Sequence, residues 1–298
     1  MEEQKLGQDQ LAPSPKPLRL VAIALAIYVA WVAVTYLLEG RIHLFQRIDP
    51  IGRITYVTIA NIVIGTILSA IAIRYLLLKD FVKPEQLGFN RSVLRSALVI
   101  GAAAIGGLAL FMAQNPKTTE PMVVFNVFMQ ALPVSIAEVM VAWALIGSTF
   151  ESLGRIRSSR RFGKIASIVI GAVTSSVLFG IYHYAHSPPF NETTVVLFLM
   201  LPSIATAVTY FLGRNIYAAI IVQNFMGIFG VIGSLPALEP FRQPMAPVYV
   251  LAAVSIIALV VSVSWMLRRI ARRMKVSKAK KNLNENKGKH SKKQPSAA

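Results

Sequence analysis

Long apolar stretches constrain the fold of this chain more than any other feature of its sequence. Eight stretches approach twenty residues, near 20–38, 54–73, 96–113, 123–146, 165–184, 193–212, 215–234 and 246–267. About twenty apolar residues cross the hydrocarbon core of a bilayer as a helix. The charged fraction of 15% is well below the roughly 25% of soluble domains. The sequence therefore predicts an all-α fold, a polytopic transmembrane helix bundle of about eight spans.

Composition divides the chain into three segments. A polar N-terminal tail covers 1–19, the membrane bundle covers 20–267, and a basic, largely disordered tail covers 268–298. Within the tail, the spacing of the cations predicts that the last helix continues for about two turns past Leu267. The fourth apolar stretch has two interpretations because it contains Pro133. It is either one span, or an interfacial piece near 121–131 followed by a span that starts close to Val134.

The net charge of +18 is concentrated at one end of the chain, since 268–298 holds 12 of the 31 Lys and Arg residues. With eight spans, both termini and the even-numbered loops share one side, which carries 26 of these cations against five on the other. This asymmetry predicts that both termini are cytoplasmic. A basic segment next to a span is typical of proteins that contact anionic lipid headgroups. The sequence has no nucleic-acid-binding motif, so a nucleic-acid partner is not expected.

Few polar side chains fall inside the apolar stretches, and the absence of cysteine excludes thiolate chemistry there. Glu138 is the one acid that the sequence places within a span. A charged group at that depth costs about 3 kcal/mol or more, so it usually faces a cavity or a partner. The alternative is a neutral carboxyl that is hydrogen-bonded between helices.

Two histidines, His183 and His186, lie at the end of the fifth stretch. Their spacing of three lets one helical face present both, although Ser187-Pro188-Pro189 predicts that the helix ends before His186. They are either functional side chains or an amphipathic cap at the membrane interface.

The seventh stretch contributes two adjacent amides, Gln223 and Asn224. They either bind substrate or form interhelical hydrogen bonds, each contributing about 1 kcal/mol. A carboxylate that deprotonates water, with imidazole to orient it, is the minimum for hydrolysis. Glu138, His183 and His186 are also candidate ligands of a divalent metal such as zinc. A proton-coupled transporter uses the same residue types.

These residues give the chain a resemblance to a family of membrane enzymes. Phe179-Gly180-Ile181-Tyr182-His183 matches an FxxxH motif, and Ala137-Glu138 with Ala142 partly matches EExxxR. Gln223 and Gly227 stand at the two fixed positions of a third motif, HxxxN, and Leu87-Gly88-Phe89 precedes the third stretch. In this pattern the chain resembles the CPBP family of intramembrane peptidases, which includes CAAX prenyl endopeptidases and bacteriocin-immunity (Abi) proteins. The resemblance covers roughly residues 85 to 235.

The resemblance implies a function as well as a fold. It implies an intramembrane endopeptidase that hydrolyses a peptide or protein substrate, with Glu138 as general base and His183 as the imidazole that orients water. Gln223 and Asn224 would then donate hydrogen bonds to the oxyanion. The changes at Ala137, Ala142, Gln223 and Gly227 remove a carboxylate, a cation, an imidazole and an amide from the family pattern. They favour an alternative, a catalytically inactive scaffold or immunity-type binder on the same fold.

Overall fold

The computed structural model describes residues 17–44, 50–87, 93–157, 161–235 and 237–291. These residues form helices and connections with no strand. Eight helices are long and apolar enough to cross a membrane, and we number them α1 to α8. They are α1 Pro17–Arg41, α2 Ile51–Leu78, α3 Val93–Ala113, α4 Pro121–Ile156, α5 Gly163–Ala185, α6 Thr193–Gly213, α7 Ile216–Ser234 and α8 Ala246–Arg268. The chain is thus an all-α, multi-pass integral membrane protein, as predicted. Residues 1–16 of the predicted N-terminal tail lie outside the described residues.

Helix α4 is the centre of the bundle. In the apolar stretch of α4, 89% of the residues are buried inside the protein, whereas in that of α3 only 17% are. Helix α3 therefore faces mainly lipid. Helices α1, α2, α5, α7 and α8 all pack against α4. Pro133 lies within the continuous helix, so the interpretation that splits the fourth stretch is wrong. Proline is tolerated inside membrane helices because neighbouring groups satisfy the backbone that it frees.

Three helices contain wide, π-helical segments: Tyr36–Arg41 in α1, Val57–Leu68 in α2 and Val139–Gly147 in α4. Such turns are rare in proteins, and those that occur often lie at functional sites. Each adjoins a buried polar residue. Glu39 lies inside the first segment, while Tyr56 and Glu138 directly precede the other two. The irregular turns therefore mark one region of the bundle.

Polar contacts tie together the connections at one end of the bundle, which we call the Ser187 end. Ser187 donates a hydrogen bond to Glu39. Asn126 Nδ2 donates to the carbonyl oxygen of Phe241 at 2.7 Å. Arg242, beyond α7, forms a salt bridge of 2.9 Å with Glu120 at the start of α4. The odd-numbered connections thus share one end of the bundle, as eight antiparallel spans require.

The opposite end, which we call the Arg214 end, holds a buried ion cluster. Glu151 accepts hydrogen bonds from Arg214 at 2.6 and 2.9 Å and from Arg155. The Glu151 side chain is fully buried. The sequence alone placed Glu151 in a loop, and this is wrong because α4 continues as helix past the apolar stretch.

The last helix is longer than predicted. Its backbone is helical over Ala246–Ser291, well beyond the two turns past Leu267 that the cation spacing indicates. The disorder predicted for 268–298 stays a prediction. Residues 292–298 lie outside the described residues.

Two glycines offer a matched test of the packing between α2 and α4. A Cβ on Gly65 would lie 2.4 Å from the Cβ of Ala137, whereas a Cβ on Gly101 in α3 would meet nothing within 4 Å. We expect Gly65→Ala to destabilise the bundle by about 1–3 kcal/mol, because overpacking forces the backbones apart. Gly101→Ala, the control, should be neutral or stabilising, since alanine is the better helix former. The free energy of unfolding in mixed micelles measures both. Equal effects of the two substitutions would contradict the close α2–α4 contact.

Candidate functional site

A cavity of about 100 Å³ lies among six helices toward the Ser187 end. Helices α1, α2, α4, α5, α6 and α7 and the connection after α5 all contribute to its wall. The polar side chains that line it are Glu39, Tyr56, Ser135, Glu138, His183, His186, Ser203 and Gln223. The rest of the wall is apolar. A volume of this size holds several water molecules where polar partners are present.

Glu138 is buried within the membrane bundle, with 6% of its surface exposed. Its Oε2 accepts a hydrogen bond of 2.8 Å from Gln223 Nε2 on α7. Among the described residues, no Lys or Arg lines the cavity. The EExxxR pattern would place a cation at position 142, but Ala142 is buried in the core of α4. The carboxyl group of Glu138 therefore has an amide donor instead of a cation.

His183 lies on the 3₁₀ turn His183–Ala185 that ends α5. Its Nδ1 lies 2.9 Å from the carbonyl oxygen of Phe179. A carbonyl oxygen only accepts, so Nδ1 carries the hydrogen and Nε2 of the neutral ring keeps a lone pair. This backbone contact uses the first and last residues of the FxxxH motif. The motif thus fixes one tautomer and leaves Nε2 available at the cavity.

His186 stacks on His183, with ring centroids 5.3 Å apart. The α-helical part of α5 ends before His186, as the sequence predicts, and the two rings still meet. Its Nε2 is buried without a hydrogen-bond partner. Burial, and secondarily the neighbouring His183, lower the pKa of His186 well below its ordinary value. His186 is therefore a neutral imidazole at physiological pH.

The two amides of α7 have different positions. Gln223 lines the cavity and joins three helices, because its Oε1 also accepts a hydrogen bond of 2.7 Å from Thr206 on α6. Asn224 is not among the described residues that line the cavity. It accepts a hydrogen bond from Ser135 and donates one to the carbonyl oxygen of Phe128, both at 3.0 Å. Asn224 thus forms the interhelical hydrogen bonds of the structural alternative.

Glu39 is a cavity residue that sequence reasoning missed. The first apolar stretch was expected to end at residue 38, so Glu39 was assigned to a loop, yet only 2% of its surface is exposed. The adjacent Gly40 permits a close approach to the end of α5, because a Cβ there would lie 2.6 Å from the carbonyl oxygen of Ala185. An acid followed by glycine at the end of an apolar stretch is the signal that could have found it.

The remaining positions of the family pattern are Ala137, Gly227 and the segment Leu87-Gly88-Phe89. Ala137 packs against Gly65, and Gly227 lines the cavity without a side chain to contribute. Leu87 is buried in the core, whereas Gly88 and Phe89 lie outside the described residues.

The candidate metal ligands do not form a metal centre. Among the described residues, no group of three His, Asp or Glu side chains is arranged to hold an ion. The three candidates, Glu138, His183 and His186, line one cavity but are not arranged as the ligands of one ion.

The chain matches no protein-family profile, no curated protein and no solved structure closely enough to indicate kinship. The similarity to the CPBP pattern consequently rests on the short motifs alone.

Proposed function

We propose that this protein is an intramembrane hydrolase that cleaves a peptide bond inside the cavity described above. One observation carries the proposal: the carboxyl group of Glu138 and the free Nε2 of His183 line the same membrane-embedded cavity. The expected third-motif position, Gln223, also contacts the expected first-motif acid, Glu138. This contact joins two motif positions that lie on separate helices, and it supports the proposal.

In the proposed reaction, a water molecule in the cavity gives a proton to the Glu138 carboxylate and attacks the substrate carbonyl carbon. The Nε2 lone pair of His183 accepts the second hydrogen of that water and orients it. Glu138 then gives the proton that it took from the water to the departing amine as the C–N bond breaks. Gln223 Nε2 has two N–H groups, and one of them is bonded to Glu138. The other donates a hydrogen bond to the oxyanion that forms on the substrate carbonyl.

The test is hydrolysis by the purified protein in lipid nanodiscs. Synthetic peptides that contain one apolar span would be incubated in H₂¹⁸O, and the products would be analysed by mass spectrometry. We expect one ¹⁸O atom in each newly formed C-terminal carboxylate and a new free amino terminus. Absence of cleavage by well-folded protein across a library of such peptides would refute the hydrolase.

A non-catalytic scaffold or immunity-type binder on the same fold is the second candidate. Two observations favour it. Ala142 leaves Glu138 without a motif cation, and Asn224 commits its amide to Phe128 instead of the cavity. Such a protein would bind its partner in the cavity without turnover.

We further propose that the cavity opens toward the outer side of the membrane and that both termini are cytoplasmic. The 26-to-5 distribution of cations supports this orientation. The basic tail then lies beside the inner leaflet, where anionic lipid headgroups attract it by about 1 kcal/mol per cation.

Single cysteines test this orientation, because the native chain contains none. Ser187 is buried against Glu39 and is unsuitable, whereas Glu192 at the Ser187 end and Asp80 at the Arg214 end are exposed. We expect a membrane-impermeant maleimide to label Glu192→Cys in intact cells and Asp80→Cys only after permeabilisation. The reverse pattern would place the termini and the basic tail outside.

A further inference from the structure

The cavity presents hydrogen-bond acceptors whose partners are missing from the described protein. An ionised Glu138 has four lone-pair sites and one donor, Gln223. Its Oε1 accepts no hydrogen bond from the described residues. His183 Nε2 is an acceptor because Nδ1 donates its hydrogen to the carbonyl oxygen of Phe179. Only 7% of the surface of His183 is exposed. Nε2 of His186 is buried without a partner in the same wall, and it accepts or donates according to the tautomer.

The donors in the wall, in contrast, are mostly taken up within the protein. The Ser135 hydroxyl donates to Asn224, and the Ser203 hydroxyl donates to the carbonyl oxygen of Met200 at 2.6 Å. One N–H of Gln223 is bonded to Glu138. The second N–H of Gln223 remains, so these side chains leave one donor for the several acceptors of the wall.

The charge and the walls of the cavity define the complementary ligand further. In its ionised form Glu138 would bring negative charge into a wall where, among the described residues, no Lys or Arg provides a counter-ion. The other acid of the wall, Glu39, accepts a hydrogen bond from Ser187. Buried charges are normally paired. Phe179, Leu199 and Met226 contribute apolar surface, and an aromatic face also attracts a cation.

From these observations we propose that the cavity is a binding site for a primary ammonium group carried on an apolar body. The three N–H donors of the ammonium group bond to Glu138 and to Nε2 of His183, and its charge pairs with the carboxylate. The apolar body lies against the phenylalanine and aliphatic part of the wall. This site does not depend on hydrolysis, since a peptidase and a non-catalytic binder would both use it.

The test compares two molecules of about five heavy atoms that share one branched hydrocarbon and suit a cavity of about 100 Å³, tert-butylamine and the neutral tert-butanol. Binding to the full-length protein in nanodiscs would be measured by isothermal titration calorimetry, with empty nanodiscs as the background. We expect saturable binding of the amine, at least tenfold tighter than that of the alcohol. Glu138→Gln should remove this preference while alcohol binding persists, which shows that the variant is folded. Glu120→Gln, an exposed acid outside the cavity, should behave as the wild type.

Two results would overturn the proposal. One is equal affinity of the wild-type protein for the amine and the alcohol, and the other is an unchanged amine preference in Glu138→Gln. Neither result bears on hydrolysis, because both are measured without turnover. Conversely, a protein that binds the amine tightly and cleaves no peptide would retain this site and lose the hydrolase.

Discussion

Glu138→Gln is expected to lower peptide hydrolysis by about 10²- to 10⁴-fold, the contribution typical of a positioned general base. The substitution keeps the size of the side chain and a carbonyl oxygen that still accepts the hydrogen bond from Gln223. It removes the group that takes the proton from water. Rates of ¹⁸O incorporation into the nanodisc substrates measure the loss.

Glu120→Gln is the matched control, since Glu120 forms an exposed salt bridge with Arg242 away from the cavity. Its rate should stay within about twofold of the wild type, because an exposed ion pair contributes little to stability. If Glu138→Gln retained full activity, Glu138 would be no base, and any cleavage would need another catalytic group.

Arg214→Ala is expected to destabilise the folded protein by about 3–5 kcal/mol, because it leaves the buried carboxylate of Glu151 with Arg155 as its one cationic partner among the described residues. Burial alone would lower the pKa of Arg214, but the hydrogen bonds and the charge of Glu151 raise it above its ordinary value. The pair is thus mutually stabilised. The free energy of unfolding, measured by denaturant titration in mixed micelles, quantifies the change.

Two further variants separate a buried charge from a general loss of contacts. Arg242→Ala removes two exposed ion pairs, with Glu120 and with Glu239, and should leave the free energy of unfolding nearly unchanged. The double variant with Arg214→Ala and Glu151→Ala should recover part of the loss, since it no longer buries an underpaired charge. A double variant that is less stable than Arg214→Ala alone would show that Glu151 stabilises the helix by other contacts.

The number and order of the helices were predictable because each crossing needs its own apolar stretch, and hydropathy records that length directly. The ends of the helices were not. Helix α4 runs past its apolar stretch, so Glu151 became a buried partner of Arg214. Helix α1 extends through a π-helical turn, so Glu39 became a cavity residue. In both cases the buried acid is held by a partner that is distant in the sequence, Arg214 for Glu151 and Ser187 for Glu39. A local sequence pattern does not contain such partners.

The candidate site was predictable in part for a similar reason. Glu138 stood out because an acid in an apolar stretch needs a partner, and FxxxH placed His183 one turn from Phe179. Which of two adjacent amides faces the cavity depends on the rotation of α7 about its axis. That rotation is set by contacts of α7 with α3 and α4, so the division of roles between Gln223 and Asn224 could not be read from the sequence.

Helix α4 has a mechanical consequence for the bundle. Glu138 at the cavity and Glu151 in the ion cluster lie on this one helix, about 20 Å apart at roughly 1.5 Å of rise per residue. The π-helical segment Val139–Gly147 occupies most of the distance between them. Polar contacts thus hold α4 on both sides of this segment, to Gln223 at the cavity and to Arg214 at the ion cluster, and this limits the rotation of α4 about its own axis.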